Sequence, residues 1–362
     1  MDFSLGPRQQ AGAEAAAHVL DGYQPGPEAG RDGCYDRALW KDLAQAGLLG
    51  LAVPAWLGGE GLGVLDVAVL LTGVGRAAAP VPALATLAMG VLPVARWGGR
   101  EQQRALLTGV AGGDVVLTAA VREPSEPMPE VPTTTATLGG PGGGAVSGVK
   151  TGVPCAAAAN WILVPASLST GGTGIVVVDP AAAGASLRQT PTSAGAPEYT
   201  LRLDRAPIAH VVGDGGAVAD LYRLTAVGAC CLADGALAAA LALTTAHVAV
   251  REQFGRPLAT FQAVAQQIAD VAIASRTLHL AALSACWRLD TGRGADDDTE
   301  VAAYWLAEEA PAALRACHHL HGGTGMDASY PLHRYSALVK DLVRLVGGAD
   351  YRLGRLGARI GC

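Results

Sequence analysis

Apolar and polar positions follow three regimes along the chain. From residue 8 to about 113 the apolar residues recur at helical spacing. Breaks fall at Gln24-Pro25-Gly26-Pro27, Val53-Pro54, Gly58-Gly59, Pro80-Val81-Pro82 and Gly98-Gly99, so the pattern predicts short helices punctuated by Pro and Gly. From Val115 to about Gly213, β-rich runs (Val115–Leu117, Trp161–Val164, Ile175–Val178, Thr200–Leu203) alternate with Gly, Pro, Ser and Thr clusters, which predicts antiparallel strands. From Asp214 onward long helices return. Phe261, Val264, Ile268, Val271 and Ala272 lie three and four apart, one stripe of a helix, and Asp296-Asp297-Asp298-Thr299 offers an N-cap for a helix over roughly Glu300 to His318. The predicted class is α+β, mostly α: a helical N-terminal domain over 1–113, a middle antiparallel β-domain over 114–213, and a helical bundle over 214–362.

Composition narrows this picture. Half of the 362 residues are hydrophobic, yet only 5% are aromatic, with three Phe against 48 Gly, so the core must come from small-residue helices that approach closely. The net charge of −6 gives no basic footprint for nucleic acid, and a mean hydropathy of +0.29 excludes a disordered chain. The seven Cys show no CxxC spacing and read as reduced core thiols; with no basic leader or apolar h-region at the start, a cytoplasmic protein is expected. Between Leu224 and Val250 the only carboxylate is Asp234, which suits a buried bundle helix better than a membrane span.

Phosphate-loop readings fail on context. The run Gly139-Gly140-Pro141-Gly142-Gly143-Gly144 lacks a following GK[ST], so a hairpin tip is expected; Gly59-Glu60-Gly61 and Gly322-Gly323-Thr324-Gly325 lack a βαβ setting. His318, His319 and His321 sit at a predicted helix end, where histidines are commonplace, and are not read as a metal set. Glu308 and Glu309 read as solvated or interface residues.

The run Arg251-Glu252-Gln253-Phe254-Gly255-Arg256-Pro257-Leu258, with Phe261-Gln262, predicts a helix ending at Gly255, a Pro turn, and a new helix near Ala259. That corner gathers Arg251, Gln253 and Phe254: a guanidinium able to pair with a pyrophosphate and a ring able to pack on an adenine, or else a capped αα-turn. The run resembles the R-x-x-F-G-x-P-L-x-x-F-Q signature of the acyl-CoA dehydrogenase family of flavoproteins. Leu51-Ala52-Val53-Pro54 with Gly58-Gly59 and Gly61, Glu123-Pro124, Ser147-Gly148-Val149-Lys150, Asn160-Trp161, and Gly322-Gly323-Thr324-Gly325 with Tyr330-Pro331 match other family motifs in order, over nearly the whole chain. The resemblance implies the acyl-CoA dehydrogenase fold with a C-terminal four-helix bundle, FAD, an acyl-CoA thioester substrate, and dimers or tetramers.

Family chemistry needs a carboxylate to take the α-proton and a flavin to accept the β-hydride. Counted from Tyr330-Pro331, the usual glutamate falls on Val346; counted from Phe254-Gly255, the alternative one falls on Thr225, and neither is a base. Asp350, one turn beyond Val346, is the nearby substitute carboxylate. The flavin threonine is Arg122 here, a Gly-x-Gly-Ser-Asp is replaced by Ser125 to Pro129, and the Trp-x-Thr that holds the isoalloxazine reads Gly152-Val153-Pro154. In the family, FAD is shared across a subunit interface, and this chain keeps what it lends: Arg251, Gln253, Phe254, Gly322 and Gly323, with His319 at a FAD-contacting glutamine position. The resemblance therefore implies the base-lacking subunit of a heteromeric, α2β2-type enzyme whose partner is a Glu-bearing paralogue, as in bacterial steroid side-chain breakdown. The alternatives are a self-sufficient homomer using Asp350 or an altered reaction, and a structural or regulatory relative without flavin.

Overall fold

The computed structural model describes residues 4–24, 35–139 and 144–361, so the tip of the glycine run at 140–143 lies outside the described residues. Five helices come first: α1 (Pro7–Leu20), α2 (Arg37–Gln45), α3 (Val64–Ala77), α4 (Leu92–Trp97), which continues a wide turn over Leu84–Val91, and α5 (Arg100–Leu107). The β part comprises β1 (Leu117–Ala119), β2 (Thr135–Thr137), β3 (Gly144–Pro154), β4 (Trp161–Leu168), β5 (Thr173–Val178), β6 (Ala185–Thr190), β7 (Glu198–Ile208) and β8 (His210–Val212). Helices then return as α6 (Gly215–Val250), α7 (Gln262–Asp290), α8 (Asp296–His321), α9 (Leu332–Val346) and α10 (Ala349–Ile360).

Eight strands form one sheet in the order β6-β7-β3-β2-β4-β5-β8, with β1 also on β4. Its pairings are antiparallel except β1–β4 and β2–β4, which are parallel. The short strands β2, β6 and β8 carry few β-branched residues in a row, and the sequence pattern does not reveal them. Glu123 pairs in the interior with Lys150 of β3. Their side chains are both 0% exposed, Lys150 Nζ donates to Glu123 Oε1 at 2.8 Å, and the backbone N–H and hydroxyl of both Thr133 and Thr134 complete the carboxylate's shell. A buried charge tolerates that depth only when paired and fully hydrogen-bonded.

The small-residue core works by close approach. A Cβ at Gly75 of α3 would lie 2.0 Å from the Leu232 carbonyl oxygen, and one at Gly235 of α6 would lie 1.9 Å from the Thr72 carbonyl oxygen. Side chains at those two positions would wedge the helices apart, so glycine here does the work that rings do elsewhere. Most of α6 is buried by its neighbours, which accounts for its apolar length. By length and composition α6 and α7 could each cross a membrane; in this fold α6 is a core helix of the bundle. Helix α8 begins at Asp296 rather than near Glu300. Asp296, Asp297 and Asp298 sit inside its first turn, where they meet the helix dipole and pair with Arg223, Arg288 and Arg359 instead of capping.

Candidate functional site

Two locations carry the residues singled out by the sequence. At the first, α6 stops at Val250, five residues before Gly255, and Arg251 N–H caps it on the His247 carbonyl. A two-residue hairpin follows, β9 (Glu252–Gln253) against β10 (Arg256–Pro257), with Phe254 at φ +55° and Gly255 at φ +78°. Two successive positive φ angles define such a turn and cannot continue a helix, which is why the helix ends earlier than its sequence suggests. Helix α7 accordingly starts at Gln262 rather than near Ala259.

The turn throws Phe254 outward. Its ring is 92% exposed and touches Phe261 edge-to-face at 6.2 Å, while Arg256 lies 4.0 Å over the Phe261 ring. A bulky residue at positive φ with its ring in solvent is costly twice. Arg251 and Gln253 are exposed beside it.

The Gly-Gly turn is brought to this corner by a histidine stack. His321, buried at the end of α8, lies 4.4 Å from His247 of α6, and its Nε2 meets the Tyr330 hydroxyl at 3.0 Å. Burial, His321 and then Arg251 lower the His247 pKa, favouring its neutral ring in the stack. His318 is spent on the Gly325 carbonyl and the Ser336 hydroxyl, at 2.9 and 2.7 Å, which leaves His319 as the exposed histidine. Gly322 needs its φ of +59° with ψ −135°, a region only glycine occupies readily. Gly323 has no such φ, and a Cβ there would meet nothing within 4 Å, so nothing in this chain demands glycine at that point.

The second location is interior. Val346 and Thr225 are both 0% exposed; the Val346 carbonyl accepts from Arg352 Nε at 2.6 Å, and the Thr225 hydroxyl donates to the Leu221 carbonyl at 2.8 Å. The segment after Glu123 is fastened across this region. Met128 is buried at φ +55°, Tyr222 and Tyr351 hydroxyls donate to the Pro129 and Met128 carbonyls, and Pro127 packs so tightly on Gly347 that a Cβ there would lie 2.7 Å from its ring. Arg352 and Arg355 share Glu300 beneath it, at 3.0 and 2.8 Å. Asp350 is exposed in the first turn of α10 and lines an open depression with Glu126, Glu130 and Tyr351.

Gly152 marks the position of the missing tryptophan. A Cβ there would meet Arg122 Nη1 at 3.1 Å, Arg344 Nη1 at 3.3 Å and Glu198 Oε2 at 3.4 Å. Arg344 of α9 grips Glu198 of β7 with both terminal nitrogens, at 2.6 and 2.9 Å, and Asp341 accepts the Ser193 and Ala194 N–H groups at 2.9 and 2.8 Å. Burial and the adjacent Arg344 pull the Arg122 guanidinium below its ordinary value, with Glu198 opposing them. A side chain at Gly152 would press on these three charged groups, so the tryptophan that holds the family's isoalloxazine has no ready place here. Glu198, Asp341, Arg344 and Arg352 escaped the sequence reading; the one signal was that Arg supplies nearly all the positive charge.

A helical N-terminal part, a central sheet and a C-terminal helical bundle, with an exposed Arg-Phe-Gly corner, define the flavin-linked acyl-CoA dehydrogenase class. The acyl-CoA dehydrogenase N-terminal domain model matches residues 8–114 and the C-terminal domain model residues 220–359. The chain is 45% identical over 362 residues to acyl-CoA dehydrogenase FadE28 of Mycobacterium tuberculosis, covering 99% of each chain. It is 32% identical to FadE27 of the same organism, covering 90% of this chain and 88% of that one. Among solved structures, the Tcur3481-Tcur3483 steroid ACAD G363A variant is 34% identical with a TM-score of 0.91, covering 99% of each chain. The ChsE4-ChsE5 complex from Mycobacterium tuberculosis is 30% identical with a TM-score of 0.92, covering 100% of this chain and 99% of that one. The chain belongs to the acyl-CoA dehydrogenase family.

Proposed function

We propose that this chain is the base-lacking subunit of a heteromeric acyl-CoA dehydrogenase. In this reading it lends Arg251, Gln253, Phe254, His319, Gly322 and Gly323 to the FAD of a partner subunit that carries the catalytic glutamate. When bound, FAD would accept the hydride in the partner's site; this chain supplies cation, ring and open glycine backbone to the cofactor's ADP end. Two solved relatives named as paired assemblies, Tcur3481-Tcur3483 and ChsE4-ChsE5, support pairing with a paralogue, and the steroid substrate named for the first supports a steroid or other bulky acyl-CoA. We place the assembly in the cytoplasm.

The observation that carries the proposal is the contrast at Gly152. The ring cradle is filled by Arg122, Arg344 and Glu198, and both base positions are buried without an acid, while the corner is exposed and under backbone strain. No observation favours Asp350 as a base, since it is exposed at a helix start and nothing desolvates it.

Co-expression tests the reading. Alone, the chain should purify colourless; with a Glu-bearing paralogue it should yield a yellow complex holding one FAD per pair. A yellow homomer whose flavin is bleached by an acyl-CoA would sink the proposal, and a colourless chain that joins no paralogue would favour a flavin-free structural role.

A further inference from the structure

A cavity of about 550 Å³ opens between α1, α3, α6, α7 and the start of α9. Its walls are mostly apolar and small, among them Leu20, Ala68 and Ala282; Asp234 and His279 are set into them, and Asp21, Tyr23, Arg334 and Tyr335 also line it. Asp234 of α6, 8% exposed in its side chain, holds His279 Nδ1 of α7 at 2.8 Å. His279 is 39% exposed toward the cavity, and its Nε2 has no partner among the described residues. Arg76 lies at the mouth, exposed and without a carboxylate partner among the described residues.

The cavity is separate from the positions discussed above. About two and a half helical turns, some 13 Å, lie between Thr225 and Asp234, so the two side chains leave α6 on opposite faces. None of the flavin-corner residues lines it.

A carboxylate buried in an otherwise apolar helix is costly unless its partner is held, and here the partner's free edge faces a hollow. Bonded to Asp234 through Nδ1, the imidazole turns Nε2 toward the hollow, where it donates an N–H in the imidazolium form that Asp234 favours, and Arg76 adds a positive charge at the rim. The volume suits a small organic ligand with an apolar body. We propose that this cavity binds an amphipathic monocarboxylate, its apolar body among the small side chains and its carboxylate between His279 and Arg76. The hydrogen bond to Asp234 raises the His279 pKa, with burial opposing, which agrees with a donor imidazole. A fatty acid and a polycyclic acid share this chemistry.

Dodecanoate serves as the probe, with cholate for the polycyclic arm and 1-dodecanol as the uncharged control, titrated calorimetrically into the full chain or its complex. One site per chain is expected, with dodecanol at least tenfold weaker than the favoured acid. Ala17→Trp, which fills the cavity from half-buried α1, and His279→Gln should each weaken the acid tenfold or more; if the second variant fails to fold, the first still decides. Absence of saturable binding by either acid, or binding unchanged in Ala17→Trp, overturns the proposal. Equal affinity for dodecanol overturns the carboxylate assignment, and Asp234–His279 is then only a helix–helix pair. None of these readouts depends on the flavin partner.

Discussion

The two locations named by the family motifs differ in how their charges are used. On the interior side most strong charges are spent within the chain, Lys150 on Glu123, Arg344 on Glu198 and Arg352 on Glu300, while Arg122 Nε is buried without a hydrogen-bond partner among the described residues. At the corner, Arg251 has no ion-pair partner among the described residues and Phe254 no cover. A site meant for its own cofactor keeps its donors free and its cavity open. A site surrendered to evolution can be refilled with internal pairs that stabilise the fold. On the proposed reading, the difference teaches that a half-site given up by a chain would leave a positive trace in internal ion pairs as well as missing residues.

Breaking the closed side should therefore cost stability. Lys150→Met removes one partner of a fully buried pair and should lower unfolding free energy by about 3–5 kcal/mol, read by denaturant melts. Acid should act on the same pair. Glu123 is held near a pKa of about 2 by Lys150, Thr133 and Thr134 against the opposing effect of burial. A carboxylate depressed on folding contributes stability that is complete above its unfolded value, near 4.5, and fades as the pH falls toward 2. The wild-type chain should lose stability through that window and Lys150→Met should lose less; identical acid limbs would show that the pair is not what titrates.

Gly152→Trp restores the ring that the family places at the flavin. Here it must enter a backbone at φ +62° among Arg122, Arg344 and Glu198, so it should cost about 3 kcal/mol from strain and overpacking together and bring no flavin. A stable yellow Gly152→Trp chain would show that the cradle reopens easily and that the interior side is only latent.

Much of this contrast was legible in the sequence. Three regimes of apolar spacing gave the order of helices, sheet and helices, because period survives whatever the neighbours do. The family resemblance put Val346, Thr225 and Gly152 where a base and a flavin-holding ring are expected, and their residue types do not supply either. The corner's geometry was not legible: R-E-Q-F-G-R-P reads as a helix running to Gly255, and only the hairpin closed by Leu258 N–H on the Arg251 carbonyl reveals the early stop. The filling of the cradle was hidden for another reason. Glu198 and Arg344 lie far apart in sequence, and no local pattern marks a pair made across two layers.

Arg251→Ala probes the open side. The isolated chain should be unaffected, because the side chain is exposed and unpaired, whereas FAD affinity of the complex should fall by about 2–3 kcal/mol, roughly 30- to 150-fold, as one partner of a charged hydrogen-bonded contact is lost. Equilibrium dialysis against free FAD measures this. Unchanged occupancy would remove Arg251 from the lent set and leave the corner as a protein–protein contact.

Phe254→Ser gives the smallest expected effect on the chain itself and separates a lent ring from a structural one. With 92% of its surface in solvent, Phe254 can contribute little to the isolated fold, and serine, which loses a bulky ring at positive φ, should move stability by no more than about 0.5 kcal/mol in either direction. In the proposed assembly the same ring would meet cofactor or partner, so Ser should weaken both flavin retention and subunit association, followed by sedimentation velocity over a dilution series. A variant that melts early while alone would mean that the Phe254–Phe261 contact holds the hairpin together. The strain at φ +55° would then serve the fold of this chain, and the asymmetry between its two sides would rest on Arg251 and the glycines alone.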